Sequence, residues 1–237
     1  MKPLDAFVDD LRATHGKNLV SVILYGSAAA GDFVPKQSDY NILIALQKIG
    51  PVDLRNAHAC IREWVRLGNP VPVYFTVSEL RDAVDVFPID FHQMSAARKV
   101  LYGPDVLADM ELSGKSLRLQ AEYELRSKLI QLRRQYIPAS VSVDGMKSLM
   151  AESLSSFTAL FRAVLIIKGV TRPATKREVV ALTAEHLGID GTPFEKIFNI
   201  RENNFAPILD EVTANELFGE YMEQIENVID AVDSIDK

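Results

Sequence analysis

The chain has 237 residues, 48% of them apolar and 24% charged, with a formal net charge of −6, enough for one large domain or two modest ones with real cores. Basic residues are scattered among acids, which argues against a nucleic-acid backbone as partner but leaves room for a nucleotide-sized one. The single cysteine, Cys60, cannot close an internal disulfide, and no uninterrupted apolar run reaches the roughly eighteen residues of a membrane span.

The opening MKPLDAFVDDLR reads as an amphipathic helix and lacks the basic start and apolar middle of a signal peptide. The expected setting is therefore a reducing cytoplasm, with no membrane attachment. Residues 19–25 form an apolar run of strand length, and residues 40–46 another. In residues 52–67, Leu54, Ala57, Ile61, Trp64 and Val65 recur at helical spacing, and Gly68-Asn69-Pro70 stops the helix. Residues 71–77 predict a third strand. SELRDAVDVF follows as a helix capped by Ser78, and Gly103 ends a further strand in KVLYG.

From about residue 110 onward only helices are predicted. Residues 116–136 are closed by Pro138, and residues 144–168 by Gly169. Two more helices open on capping boxes, Thr175 to Glu178 and Thr192 to Glu195, and a last one covers residues 213–232. The expected organisation is an α/β domain over residues 1–110 and an all-α helical bundle over residues 111–237, packed across a cleft.

One stretch carries the chemistry: LYGSAAAGDFVPKQSDYNILIAL, residues 24–46. Gly26 directly follows a strand, where the missing Cβ permits a sharp turn and lets a phosphate approach the backbone. Ser27 then offers a hydroxyl beside the amides of a first helical turn. Asp39 and Asn41 alternate with Tyr40 and Ile42, so the two polar side chains leave one face of the next strand.

A Gly-Ser after a strand, about eleven residues, then Asp-hydrophobic-acid opening the next strand resembles the nucleotidyltransferase superfamily, whose members include DNA polymerase beta and the kanamycin and streptomycin nucleotidyltransferases. The resemblance implies a short mixed sheet, a C-terminal bundle, a nucleoside triphosphate held with magnesium, and transfer of a nucleoside monophosphate to a hydroxyl. FPIDFHQM with RKVLYGPDVL is similar to the segment that joins the two parts in that family. Gly26, Ser27 and Asp39 match the motif. The second carboxylate position holds Asn41, and the third falls on VPVYFTV, where Tyr74 or Thr76 stands. Two magnesium ions place roughly four positive charges within about 4 Å. With Asp39 as the remaining acid and Asn41 as a neutral ligand, a single nucleotide-borne magnesium is the expectation. Glu79, Asp82, Asp85 and Asp90 are expected to face solvent.

On the long helix of the second part, Ser148, Glu152, Ser155, Ala159 and Arg162 form a small polar stripe at steps of four and three. The resemblance implies a base for an acceptor hydroxyl from this bundle, and Glu152 stands at that position. Arg162 and Lys176 are candidate phosphate contacts. Arg177, Arg133 and Arg134 read as surface. His15, His58, His92 and His186 show no paired ligand spacing, which speaks against zinc.

Three readings follow. In the first, a working nucleotidyltransferase modifies a small hydroxyl-bearing acceptor. In the second, which the two missing carboxylates favour, the protein keeps the fold and binds a nucleotide with weak or absent transfer. In the third, the bundle mediates homodimer formation and the old site is empty. Nothing in the sequence specifies an aminosugar.

Overall fold

The computed structural model describes residues 2–30, 39–170, 175–202 and 209–235. The chain divides into two compact units, Met1–Ser113 and Gly114–Lys237.

The first unit runs α1 (Lys2–His15), β1 (Leu19–Tyr25), α2 (Ser27–Ala30), β2 (Asn41–Leu46), α3 (Pro51–Asn56), α4 (His58–Arg66), β3 (Val73–Thr76), α5 (Val77–Asp82), α6 (Pro88–Ala96) and β4 (Arg98–Tyr102). The four strands lie in the order β3-β2-β1-β4. β1 is antiparallel to β2 and β4, and β2 is parallel to β3, so the sheet is mixed. The parallel pair requires a crossover, which α3 and α4 supply.

β1 and β2 are apolar on both faces because both faces are covered. On one side Leu24, Ile42, Ile44 and Leu46 pack with Leu4, Phe7 and Leu11 of α1 and Trp64 of α4. Phe7 stacks on Trp64 with ring centroids 4.1 Å apart. On the other side Ile23, Leu43 and Ala45 meet Leu80, Phe91 and Met94.

Several sequence expectations change here for local reasons. The helix expected over residues 52–67 is broken at Ala57 into α3 and α4. The third strand stops at Thr76 because its hydroxyl accepts from the Glu79 amide while the Glu79 carboxylate accepts from the Thr76 amide. Thr76, not Ser78, is thus the cap of α5. FPIDFHQM is not a joining segment. It forms α6, which buries Phe91 and Met94 against the sheet. Gly103 ends β4 at φ 74°, and a Cβ there would stand 2.0 Å from the Val20 carbonyl oxygen.

The second unit contains α7 (Gly114–Ala139), α8 (Val143–Ile167), α9 (Lys176–Leu187), α10 (Thr192–Glu202) and α11 (Glu211–Asp233). α8 is central and packs against the other four. Its Phe157 and Phe161 join Phe194 of α10 and Tyr221 of α11 in edge-to-face contacts. By length and composition alone α8, with 25 residues and an 18-residue stretch of mean hydropathy 1.5, is long and apolar enough to cross a membrane. Half of that apolar stretch is buried inside the protein. Pro138 lies within the last turn of α7 instead of following it.

Candidate functional site

β1 delivers Gly26 at a fixed point. Its φ is 79°, a left-handed value that glycine adopts without strain. Its amide donates to the Ala97 carbonyl at 3.0 Å, and its carbonyl accepts from Ala29 and Ala30 at 3.0 and 3.1 Å. The turn is therefore held on both sides. Ser27, next in line, is exposed. The segment 31–38 of the expected motif lies outside the described residues.

Asn41 opens β2 and is the register partner of Tyr25, which in turn pairs with Arg98 of β4. A Cβ placed on Gly26 would lie 3.4 Å from Asn41 Nδ2. The glycine turn and the Asn41 amide thus meet at the end of the β1–β2 pair, and Asp39 lies exposed two residues before β2. Arg98 is fixed by Asp105 at 2.9 Å and donates to the Ser95 carbonyl at 2.8 Å. Burial pushes the Tyr25 hydroxyl upward, and the negative charge of Asp90 on α6 adds to that. The sequence had placed Asp90 among solvent-facing acids. It is exposed, and its charge acts on the Tyr25 hydroxyl.

Tyr74 does not join this group, which corrects its assignment as an eroded ligand position. β3 pairs in register with β2, Leu43 with Val73 and Ile44 with Tyr74. Because side chains alternate, Tyr74 shares the face of Ile42 and Ile44 and packs under α1 and α4. Asn41, Leu43 and Ala45 share the other face, where β3 presents Val73 and Phe75. The Tyr74 ring lies edge-on to His15 at 5.9 Å. Its hydroxyl is raised by burial and finds no hydrogen-bond partner among the described residues. Thr76 is committed to its cap. β3 thus supplies no acid.

Among the described residues β2 opens on the neutral Asn41 amide two residues after Asp39, and no cluster of three or more His, Cys, Asp or Glu side chains suited to a metal occurs.

In the helical unit the polar stripe of α8 lies outside the core, with Ser148, Glu152 and Ala159 exposed and Ser155 and Arg162 half-buried. The Ser148 hydroxyl donates to Glu152 at 2.8 Å. Glu152 also lines a cavity of about 200 Å³ with Lys128, Gln131, Gln135 and Ser156. One helical turn on, the Ser155 hydroxyl accepts from Lys176 Nζ at 3.2 Å and from the Arg201 guanidinium. The Lys176 ammonium is pushed down by partial burial, then by Arg201 and Arg162. Arg162 is also pushed down by burial, with Glu178 opposing. Two cations, Lys176 and Arg201, thus converge on one hydroxyl, and the charge of Arg162 acts on Lys176. Arg201 had given no sequence signal, since only the packing of α10 beside α8 brings it there. Arg177, next to Lys176, is occupied differently. It forms ion pairs with Glu195 and Glu202 and lies over the Phe198 ring.

No protein-family model matches the chain, and no curated protein sequence does either. A solved structure does: the spectinomycin adenyltransferase AAD(9) from Enterococcus faecialis, determined with ATP and spectinomycin, superposes with a TM-score of 0.58 at 11% identity over 98% of this chain and 99% of that one. The mixed four-stranded unit followed by a helical bundle is accordingly a fold that this chain shares, over nearly its whole length, with that adenyltransferase.

Proposed function

We propose that this protein binds a nucleoside triphosphate and transfers its nucleotide weakly or not at all. The observation that carries the reading is the meeting of the Gly26 turn with the Asn41 amide at the strand end. An open glycine turn followed by a serine hydroxyl suits a phosphate oxygen, with Ser27 as donor. Asn41 Nδ2 is a further donor. It can hold an oxygen of the nucleotide but brings no negative charge, and Asp39 is left as the acid through which a single nucleotide-borne magnesium would be held. The likeness to an adenyltransferase solved with ATP supports the nucleotide as ligand.

The helical unit offers a second surface of the same chemistry. Lys176 and Arg201, which both donate to Ser155, suit phosphate oxygens, and an anion would offset the burial and the neighbouring charges of Arg201 and Arg162 that lower Lys176. Glu152, beside its cavity, would accept the proton of a small hydroxyl-bearing acceptor if one binds.

A second reading, an active transferase, would draw its further acid from Asp90, an exposed residue of α6 whose charge acts on Tyr25, the register partner of Asn41. A thermal-shift series with ATP and other nucleoside triphosphates, with and without magnesium, tests the proposal. A ligand bound to the native state raises the melting point with the logarithm of its concentration over Kd. Ser27→Ala and Asp39→Ala should each reduce the shift. No shift with any nucleotide at millimolar concentration overturns nucleotide binding, and robust transfer by the wild type overturns the weak-transfer part in favour of Asp90.

A further inference from the structure

The first unit carries a groove that the nucleotide reading does not use. Tyr74 and α4 line it on the side of the sheet away from Asn41. Its volume is about 640 Å³, within the range of roughly 300–1,000 Å³ found for small-ligand pockets. Helical phase decides what α4 presents to it. At about 3.6 residues per turn, Ile61 and Val65 lie between the buried Ala57 and Trp64 on one flank and His58 and Arg62 on the other. Ile61 and Val65 therefore form an inner apolar wall, and His58 and Arg62 form the rim. Val71, ahead of β3, lines the same groove, and α3 contributes Leu54 and Arg55.

Two properties select the occupant. The first is apolar surface left to water in a concavity: Leu54, Val65 and Val71 are 47%, 42% and 64% exposed, and all three stand around this one groove. The second is charge. The chain carries a net charge of −6, yet among the described residues the ionisable groups around the apolar wall are Arg55, His58 and Arg62, with no acid. The acids of α3 and α4 that stand closest in sequence are engaged elsewhere. Asp53 accepts from Asn18 at 3.0 Å and from the Gly50 amide at 2.9 Å, and Glu63 holds Arg66 at 2.9 Å. Arg55 and Arg62 form no ion pair among the described residues. His58 and Arg62 are one turn apart on the same side of α4, so both can reach one carboxylate. An apolar wall under a cationic rim is the complement of a small molecule with a hydrocarbon chain and one anionic head.

We propose that this groove binds a free amphiphilic carboxylate, with its chain against Leu54, Ile61, Val65 and Val71 and its head on Arg62 and Arg55. The chain supplies affinity and the rim selects the sign of the head, because a cationic amphiphile meets like charge there.

Calorimetric titration of the full chain with hexanoate, octanoate and decanoate, each below its micellar range and without nucleotide, tests this. Binding should tighten by about two- to fourfold for each added methylene, and decylammonium should not bind. Arg55→Gln and Arg62→Gln should each weaken decanoate by about two- to fivefold, and Val71→Glu should abolish its binding. All three side chains are exposed, so the melting point without ligand should stay unchanged in each variant. Absence of decanoate binding at millimolar concentration overturns the proposal, as does binding with no dependence on chain length. Equal affinity for decanoate and decylammonium, or decanoate binding that survives Val71→Glu and both arginine variants, shows general adsorption and overturns it too. Binding to anionic phospholipid vesicles with none to free decanoate overturns it in favour of a membrane surface.

Discussion

The Asn41 side-chain amide lies 3.4 Å from the point where a Cβ on Gly26 would stand. The amide at the position where the resemblance implies a carboxylate and the glycine proposed to admit a phosphate are thus neighbours. Gly26 also holds φ at 79°. Gly26→Ala should destabilise the first unit by about 1–2 kcal/mol through the left-handed backbone alone and remove any nucleotide-induced rise in melting point. Chemical denaturation with and without ATP separates the two effects. Retained nucleotide stabilisation in a folded Gly26→Ala variant would detach the turn from ligand binding.

Tyr74 supplies the complementary test, because it lies on the other face of the sheet. Its hydroxyl is buried without a partner among the described residues, so Tyr74→Phe should be neutral or stabilising by about 1 kcal/mol and should leave nucleotide binding unchanged. Tyr74→Glu should destabilise by about 2–4 kcal/mol by burying a carboxylate, with no gain in metal affinity. A gain would mean that β3 and β2 are paired out of the register described.

The separate fates of these residues mark what the sequence can disclose. β1 is readable to the residue because Gly16 and Gly26 bracket an apolar run that matches Leu19–Tyr25. The end of β3 was also written in the sequence, since the Thr76 and Glu79 capping box competes with the strand. Ser78, two residues on, obscured it. The side of the sheet that Tyr74 occupies is not local information, because parity on β3 acquires meaning only from its register with β2. The same holds for Asp90, brought to Tyr25 by the packing of α6, and for Arg201, brought to Ser155 by the packing of α10. Spacing along the chain carries no trace of these encounters.

Acid should weaken the first unit through its histidines. Burial lowers His15, with Asp53 opposing, and burial lowers His92. A histidine whose folded pKa lies below its unfolded value near 6.5 binds fewer protons in the native state. Its stabilising contribution is complete above that value and is lost as pH falls from about 6.5 toward the folded pKa. The denaturation midpoint should therefore drop between pH 7.5 and 5, and His15→Gln should flatten part of that slope. A midpoint that rises on acidification would contradict the assignment of neutral, buried imidazoles.

The cation cluster of the second unit predicts a gain of stability. Ser155→Asp places a carboxylate where Lys176 and Arg201 already converge. It should raise the stability of the helical unit by about 0.5–1 kcal/mol at low salt and abolish stabilisation by inorganic triphosphate. Denaturation at two ionic strengths, with and without triphosphate, measures both. Undiminished triphosphate binding by Ser155→Asp would show that the anion site lies elsewhere.

The most direct measurement of the central claim, a nucleotide site that has lost its metal pair at Asn41, is a calorimetric titration of Mn²⁺ in the presence of a nonhydrolysable nucleotide, comparing wild type with Asn41→Asp. The substitution is nearly isosteric and restores a carboxylate beside Gly26 and two residues from Asp39. The account predicts weak metal binding by the wild type and binding on the order of tenfold tighter by Asn41→Asp, about 1.4 kcal/mol. Equal affinities for the two proteins, with both folded and both binding the nucleotide, would contradict it.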